Sequence, residues 1–416
     1  MLSDSHLRDL MTARAGGAVP WLAQLREAAR ARFRGLPTRR VEAWKYSDLA
    51  RALEDKIVAD DTARSPLALL GAQRVVFEDG ALCERTADVL PLREVLADPM
   101  TPFADLIGHV NAQGDHALLQ LNTALMEDGL VLIVPRGERR EAPLQIRFSW
   151  PTSAAGDSHH LRLLLVLEEG AELTLLETHE GAPSFASIVT EAKLGAGAKL
   201  THVRLERLAA GARQSAVTLA ELGPQSSYRG FYLSEGAAFA RHEALIRLAG
   251  EGAEVQLDGA YLVADARHCD NTTVLTHAVP KTVSRQAFRG VLSGSARGVY
   301  QGAVSVKPDA QGTDARQLSR VLLLSRKAET ATKPELEILA DDVKCSHGAT
   351  VGELDHNALF FLRARGIPEA EARALLVGAF LEEALEAIGD EAPRMLASSA
   401  VAEWLERHAG EVSHVE

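Results

Sequence analysis

Cysteine is scarce in this chain of 416 residues: only Cys83, Cys269 and Cys345, far apart from one another. An odd, scattered set excludes a disulfide framework and suits a reducing compartment, so a cytoplasmic protein is expected. Long apolar runs are missing too. The longest bursts, 163–167 and 374–381, fall well short of the about 18 residues that a membrane span needs. The first residues, MLSDSHLRDLMTARAGG, mix acidic with basic side chains and contain no apolar h-region, so no secretory signal is expected. Positive charge is in deficit: 45 Lys and Arg against 57 Asp and Glu give a formal charge of −12. That balance lacks the basic footprint of a nucleic-acid or anionic-membrane binder, and neither partner is expected.

Familiar catalytic motifs are absent as well. No serine sits in a G-x-S-x-G elbow. The run GAGAKL (195–200) faintly resembles a phosphate loop, but Ala198 precedes Lys199, and Leu200 stands where Ser or Thr must bind magnesium. Any ATP chemistry is therefore expected from a partner.

What is present divides the chain into three. Residues 1–143 read as a helical region with a few strands. From Pro20, which suits a first helical turn, Trp21, Leu22, Leu25, Ala28, Ala29 and Phe33 recur at three- and four-residue steps. A short helical or irregular piece follows at 41–50. The run 111–125 also has helical period, and Asp128-Gly129 turns into a strand at 130–134. Residues 144–351 are short β-rich runs parted by Gly-containing turns. Three of those turns, at Gly170, Gly197 and Gly252, repeat one pattern at spacings near one and two units, and residues 222–228 fit the gap between the last two. Such a repeat describes a β-solenoid, with a β-sandwich as the alternative. Residues 352–416 return to helix: 357–365 ending at Gly366, a second helix opened by Pro368, and a third over 395–407. This tail is expected to be removable without unfolding the β core.

Two clusters could carry chemistry. His268, Cys269 and Asp270, with His277 beyond, suggest a thiol or metal site, or simply packed corners. The stronger run is DDVKCSHGAT (341–350). In a strand, residues two apart share a side, so Cys345 and His347 would present a thiolate and an imidazole together, with Lys344 beside them to lower the thiol pKa. These are ligand types suited to iron, zinc or iron–sulfur species, although two ligands do not close a site.

At this run the sequence resembles the SufB/SufD family of iron–sulfur cluster assembly proteins. The likeness rests on ADDVKCSHGATVG (340–352) and FFLRARGI (360–367), and on LNTAL (121–125) before Asp128-Gly129. HCDNTTVLTH (268–277) and Ser284-Arg285 with Gly290 and Gly298 extend it. GLPT (35–38) with Glu42, Trp44, Lys45 and Tyr46 resembles the SufD branch, although Arg39-Arg40-Val41 stands where a more acidic approach is typical. The resemblance implies a right-handed parallel β-helix flanked by helices. It also implies a non-catalytic scaffold subunit pairing with SufB and docking the SufC ATPase, with sulfur coming from a desulfurase system. No cofactor would be held tightly by this chain alone. A transient iron–sulfur cluster would form at the SufB interface, with His347 and neighbouring Cys345 as the candidates. SufC docking maps to 359–388, with Leu359, Arg363, Gly366, Ile367, Leu375, Leu376 and Phe380 as candidates. Two other readings stand beside this one. A carbohydrate-active β-helix enzyme would use Asp341-Asp342 or Asp265 and Asp270. A purely structural homodimer is the third, and a homodimer of the isolated chain is compatible with the first.

Overall fold

The computed structural model describes residues 2–15, 18–54, 65–112, 116–151 and 157–409. Three helices come first: α1 (Asp4–Ala15), α2 (Pro20–Arg32) and α3 (Leu49–Glu54), with a 3₁₀ turn at Glu42–Trp44 before the last. Strands β1 (Gln73–Glu78), β2 (Ala81–Glu84) and β3 (Val89–Pro91) lead to α4 (Leu92–Ala97), α5 (Ala117–Leu125) and β4 (Asp128–Val134). The first half of the core then holds β5 (Leu144–Trp150), β6 (His159–Leu167), β7 (Glu172–Gly181), β8 (Ala186–Leu194), β9 (Lys199–Leu208), β10 (Arg213–Leu222) and β11 (Ser227–Ser234). The second half holds β12 (Phe239–Leu248), β13 (Glu254–Val263), β14 (His268–His277), β15 (Val283–Leu292), β16 (Arg297–Val306), β17 (Asp314–Leu323), β18 (Glu329–Ile338) and β19 (Lys344–Gly352). Helices α6 (His356–Ala364), α7 (Glu369–Leu385) and α8 (Glu391–Arg407) close the chain. None of the described helices is long and apolar enough to cross a membrane.

Successive strands alternate between two sheets. The odd-numbered strands form one, from β5 to β19, and the even-numbered strands form the other, from β4 to β18. From β4 onward every neighbouring pair is parallel and in continuous register, which makes the core a right-handed parallel β-solenoid and excludes the sandwich. The sheets extend before residue 144, because β1 pairs with β5 and β4 with β6; the antiparallel strand pairs, β1–β2 and β3–β4, are at that end, and one isolated antiparallel bridge joins Ala237 and His268.

The repeat seen in the sequence is one corner of each coil. Gly170, Gly197 and Gly252 have φ of 66–73°, where a side chain is strained, and Gln225 fills the gap at 57°. These corners stack through their own backbones. Gly170 N–H donates to Ala196 O, Gly197 to Pro224 O, Gln225 to Glu251 O and Gly312 to Asp342 O, at 2.7–3.0 Å.

Helices cover the outer faces of both sheets. α1, α2 and α5 lie against the even-numbered sheet, burying Leu7, Met11, Phe33, Leu118 and Leu121. The short α1 was not legible in the sequence. α5 starts at Ala117 rather than 111: Asn111 has φ 44° and its Nδ2 donates to Leu245 O, while His116 caps the helix through Leu119 N–H. Residues 113–115 of that expected helix lie outside the described residues. α7 and α8 cover the odd-numbered sheet, where Val377, Leu381, Val401 and Trp404 pack on Val203, Leu205, Phe231 and Leu262. The tail is therefore part of the fold. Fully burying a large apolar side chain contributes about 1.5–3 kcal/mol, so removing these four and uncovering their partners approaches a typical domain's whole stability of about 5–15 kcal/mol.

Candidate functional site: the open end of the solenoid

The last coil is fastened on one side only. Lys344 N–H donates to Thr313 O at 2.8 Å, and Asp342 N–H to Gln311 Oε1 at 2.8 Å, locking β19 onto β17. The register sets Cys345 opposite Ala315, His347 opposite Gln317, Ala349 opposite Ser319 and Val351 opposite Val321. Those four β17 partners are buried and alternate with more exposed residues, so they mark the inward row. β18 and β19 end their sheets; among the described residues no strand pairs with their outer edges.

Cys345 and His347 thus share the inward side of one strand. Cys345 is half-buried against the end of the core, with Leu336 and Val343 beside it, whereas His347 is exposed because no coil stacks over it. Lys344 does not activate the thiol. Burial pushes the Cys345 thiol up, with the nearby Asp314 carboxylate adding to it and a backbone hydrogen bond at Ala315 opposing. Beneath this end, the side chains of Gln286, Gln317 and Ser319 are buried with no hydrogen-bond partner among the described residues. Interior polar groups of that kind are ordinarily satisfied by ordered water.

The N-terminal segment reaches the same end across the outer face of the even-numbered sheet. Arg241 lies 4.0 Å over the Trp44 ring and donates to Ala43 O at 3.0 Å, and Gln301 Nε2 donates to the same carbonyl. Ser47 Oγ is 2.9 Å from His268 Nε2 and donates to Asp270, while Lys333 of β18 donates to Glu42 at 2.7 Å. Burial disfavours the Arg241 charge, but Asp270 and Glu243 outweigh it and hold the guanidinium above its ordinary pKa. Glu42 and Trp44 of the N-terminal signature, with Ser47 just beyond it, and His268 and Asp270 of the 268–277 run therefore belong to one clamp.

That clamp settles the second cluster. His268 faces outward to Ser47, and Cys269 points into the interior beside Tyr261 and Val263, so the two neighbours lie on opposite faces. Burial pushes His268 down to about 4 and the Cys269 thiol up. His277 is enclosed by Thr282 at 2.7 Å and Ser284 at 2.9 Å. Among the described residues no group of three or more His, Cys, Asp or Glu is placed to hold a metal ion. Asp270, fully buried and paired with Arg241, is no general acid or base, which removes one carboxylate the carbohydrate-enzyme reading required.

The candidates on the tail separate by exposure. Leu359 is buried; Arg363, Gly366 and Leu375 are exposed; Ile367, Leu376 and Phe380 are half-buried. Phe380 is held under Arg289, which also donates to Phe380 O at 3.1 Å. Two residues outside the candidate set stand out: Phe360 is 72% exposed and Phe361 53%, the latter beneath Arg365 at 3.9 Å. Adjacency carried no signal, because an apolar stripe at least about 100° wide can hold two neighbouring residues, and their exposure comes from the tertiary fold.

The fold and this end define a parallel β-solenoid that closes one end with antiparallel strands and leaves the other open. A family model described as "SUF system FeS cluster assembly, SufBD core domain" matches residues 151–380. The chain is 33% identical to the iron–sulfur cluster assembly protein SufD of Escherichia coli, with 86% of each chain covered. It is 30% identical to an iron–sulfur cluster assembly SufBD family protein of Synechocystis, covering 85% of this chain and 84% of that one. A SufD of Bacillus subtilis is 25% identical over 87% of this chain and 89% of its own. The chain belongs to the SufB/SufD family of iron–sulfur cluster assembly proteins.

Proposed function

We propose that the chain is a non-catalytic scaffold subunit that pairs with SufB through its open coil, so that a nascent iron–sulfur cluster forms between them, and that it docks the SufC ATPase through its helical tail. The cluster is cargo, built and passed on. His347 is the residue this chain offers to it: an exposed imidazole on the last strand, a nitrogen ligand of the type iron accepts. Cys345, half-buried and held protonated, assists rather than ligates. The observation that supports the pairing best is the uncapped end itself, where β18 and β19 expose unpaired edges beside Ile338, Leu339 and Val351, each 40–55% exposed. Exposed Phe360 and Phe361 support a partner for the tail.

The test is co-purification with SufB and SufC, anaerobic loading with iron and sulfide, and the visible spectrum of the complex. Cluster absorbance in the three-protein complex but in neither subunit alone is expected. Equal absorbance from SufB and SufC without this chain would overturn the scaffold role.

A further inference from the structure

A cavity of about 340 Å³ lies far from the open end, under the N-terminal helices. Its floor is the outer face of the even-numbered sheet, with Arg162 and Leu219. Its walls are α2, α5 and the turn segment that carries Asp105, Gly108 and His109. The turn is tied down from below: Gly108 N–H donates to both Glu191 oxygens at 3.0 Å, and Asn111 reaches Leu245 O at 2.8 Å.

Arg162 is the feature that packing alone does not require. It is 1% exposed, in a helix–sheet interface where an ion pair gains little over apolar side chains. Its partners hold it in one orientation. Nε donates to Glu191 at 2.8 Å, and Nη1 donates to Asn122 Oδ1 and Thr123 Oγ1 at 3.2 Å. Nη2 donates to no group among the described residues and lies 3.9 Å from where a Cβ on Gly108 would stand, both residues lining the cavity. A guanidinium fixed by three neighbours, with one nitrogen left over, is a preorganised donor for an oxygen acceptor.

We propose that this cavity binds a small monoanion with an apolar body, of the amphipathic carboxylate class. The carboxylate meets Arg162 Nη2, and the body lies between Leu25, Leu119 and Leu219. At the mouth Arg32 is balanced by Asp105, both exposed, which favours a single negative charge over a polyphosphate. The volume sits at the small end of the range for ligand pockets, about 300–1,000 Å³.

Calorimetric titration of the full-length chain with octanoate and with octylammonium tests this. Octanoate should bind saturably at one site per chain, and octylammonium should not bind there. Ala28→Trp, at an exposed α2 position lining the cavity, should abolish octanoate binding at an unchanged melting temperature. Arg162→Lys should weaken it at least tenfold; should that variant not fold, Ala28→Trp decides. Absence of saturable octanoate binding, equal binding of octylammonium, or wild-type binding by Ala28→Trp overturns the proposal.

Discussion

Gln317 and His347 stand opposite each other across the last parallel strand pair, both on the row that faces the solenoid interior, yet Gln317 is buried and His347 exposed. The difference lies in what stacks above. β19 covers Gln317, and among the described residues no strand stacks on β19. A histidine that would be an interior residue one coil earlier is a surface residue because the repeat stops there. The same stop leaves two sheet edges unpaired, so the candidate ligand and the candidate interface share one structural cause.

His347→Ala tests the ligand role. The side chain is exposed, so the melting temperature should hold, as exposed substitutions cost within about ±0.5 kcal/mol. Complex yield with SufB and SufC should also hold, while cluster content should fall by at least tenfold. Cys345→Ala should keep most of the cluster, since burial favours the neutral thiol. Wild-type cluster content in His347→Ala, read on the same preparation as its melting curve, would end the assignment.

The open edges predict self-association when SufB is missing. Unpaired strand edges template another chain, and a charge on the inward-facing row of an edge strand blunts such pairing. The isolated chain should sediment as a dimer at micromolar concentration. Val351→Lys on β19, where the wild-type side chain is 48% exposed, should weaken that dimer at least tenfold. A monomeric wild type in analytical ultracentrifugation would count against an interface at this end.

For SufC docking, truncation at 357 is the wrong experiment, because it would strip Val377, Leu381, Val401 and Trp404 from the sheet they cover. The double variant Phe360→Glu, Phe361→Glu leaves that packing intact. It should abolish SufC capture in a pull-down while shifting the melting temperature by no more than an ordinary surface change. Retained capture would move the docking surface away from α6.

Much of this was legible in the sequence for identifiable reasons. The solenoid announced itself at Gly170, Gly197 and Gly252 because each coil needs a left-handed corner, and glycine adopts it without strain. The pairing of Cys345 and His347 on one side follows from strand geometry alone. The clamp at Trp44, Arg241 and Asp270 was hidden because its members are joined only by the tertiary fold. The same holds for the thiol of Cys345, whose burial outweighs the lysine beside it, and for Arg162, whose open nitrogen depends on three partners from two other elements.

Acid should destabilise the protein before most of its carboxylates titrate. Burial pushes His179, His268 and His277 down to about 4, and His160 to about 3. With folded values below the unfolded one near 6.5, the unfolded chain takes up protons first as pH falls, so stability is lost from about pH 6.5 down to about 4. The loss is at most about 1.4 kcal/mol per histidine for each pH unit. Asp258 acts in the opposite sense: burial raises it to about 6, against Gln256 and Arg289, so the folded state takes up its proton first and gains stability as pH falls from about 6. Burial lowers His159 and His242 as well, so one carboxyl against six imidazoles leaves the net slope downward. Melting temperature should be flat near pH 8 and fall steadily between pH 6.5 and 5. His277→Gln, whose amide can still meet Thr282 or Ser284, should reduce that slope by up to about a fifth. A melting temperature unchanged from pH 7 to pH 5 would show that these imidazoles take up protons in the folded state, and their burial in the neutral form would be ruled out.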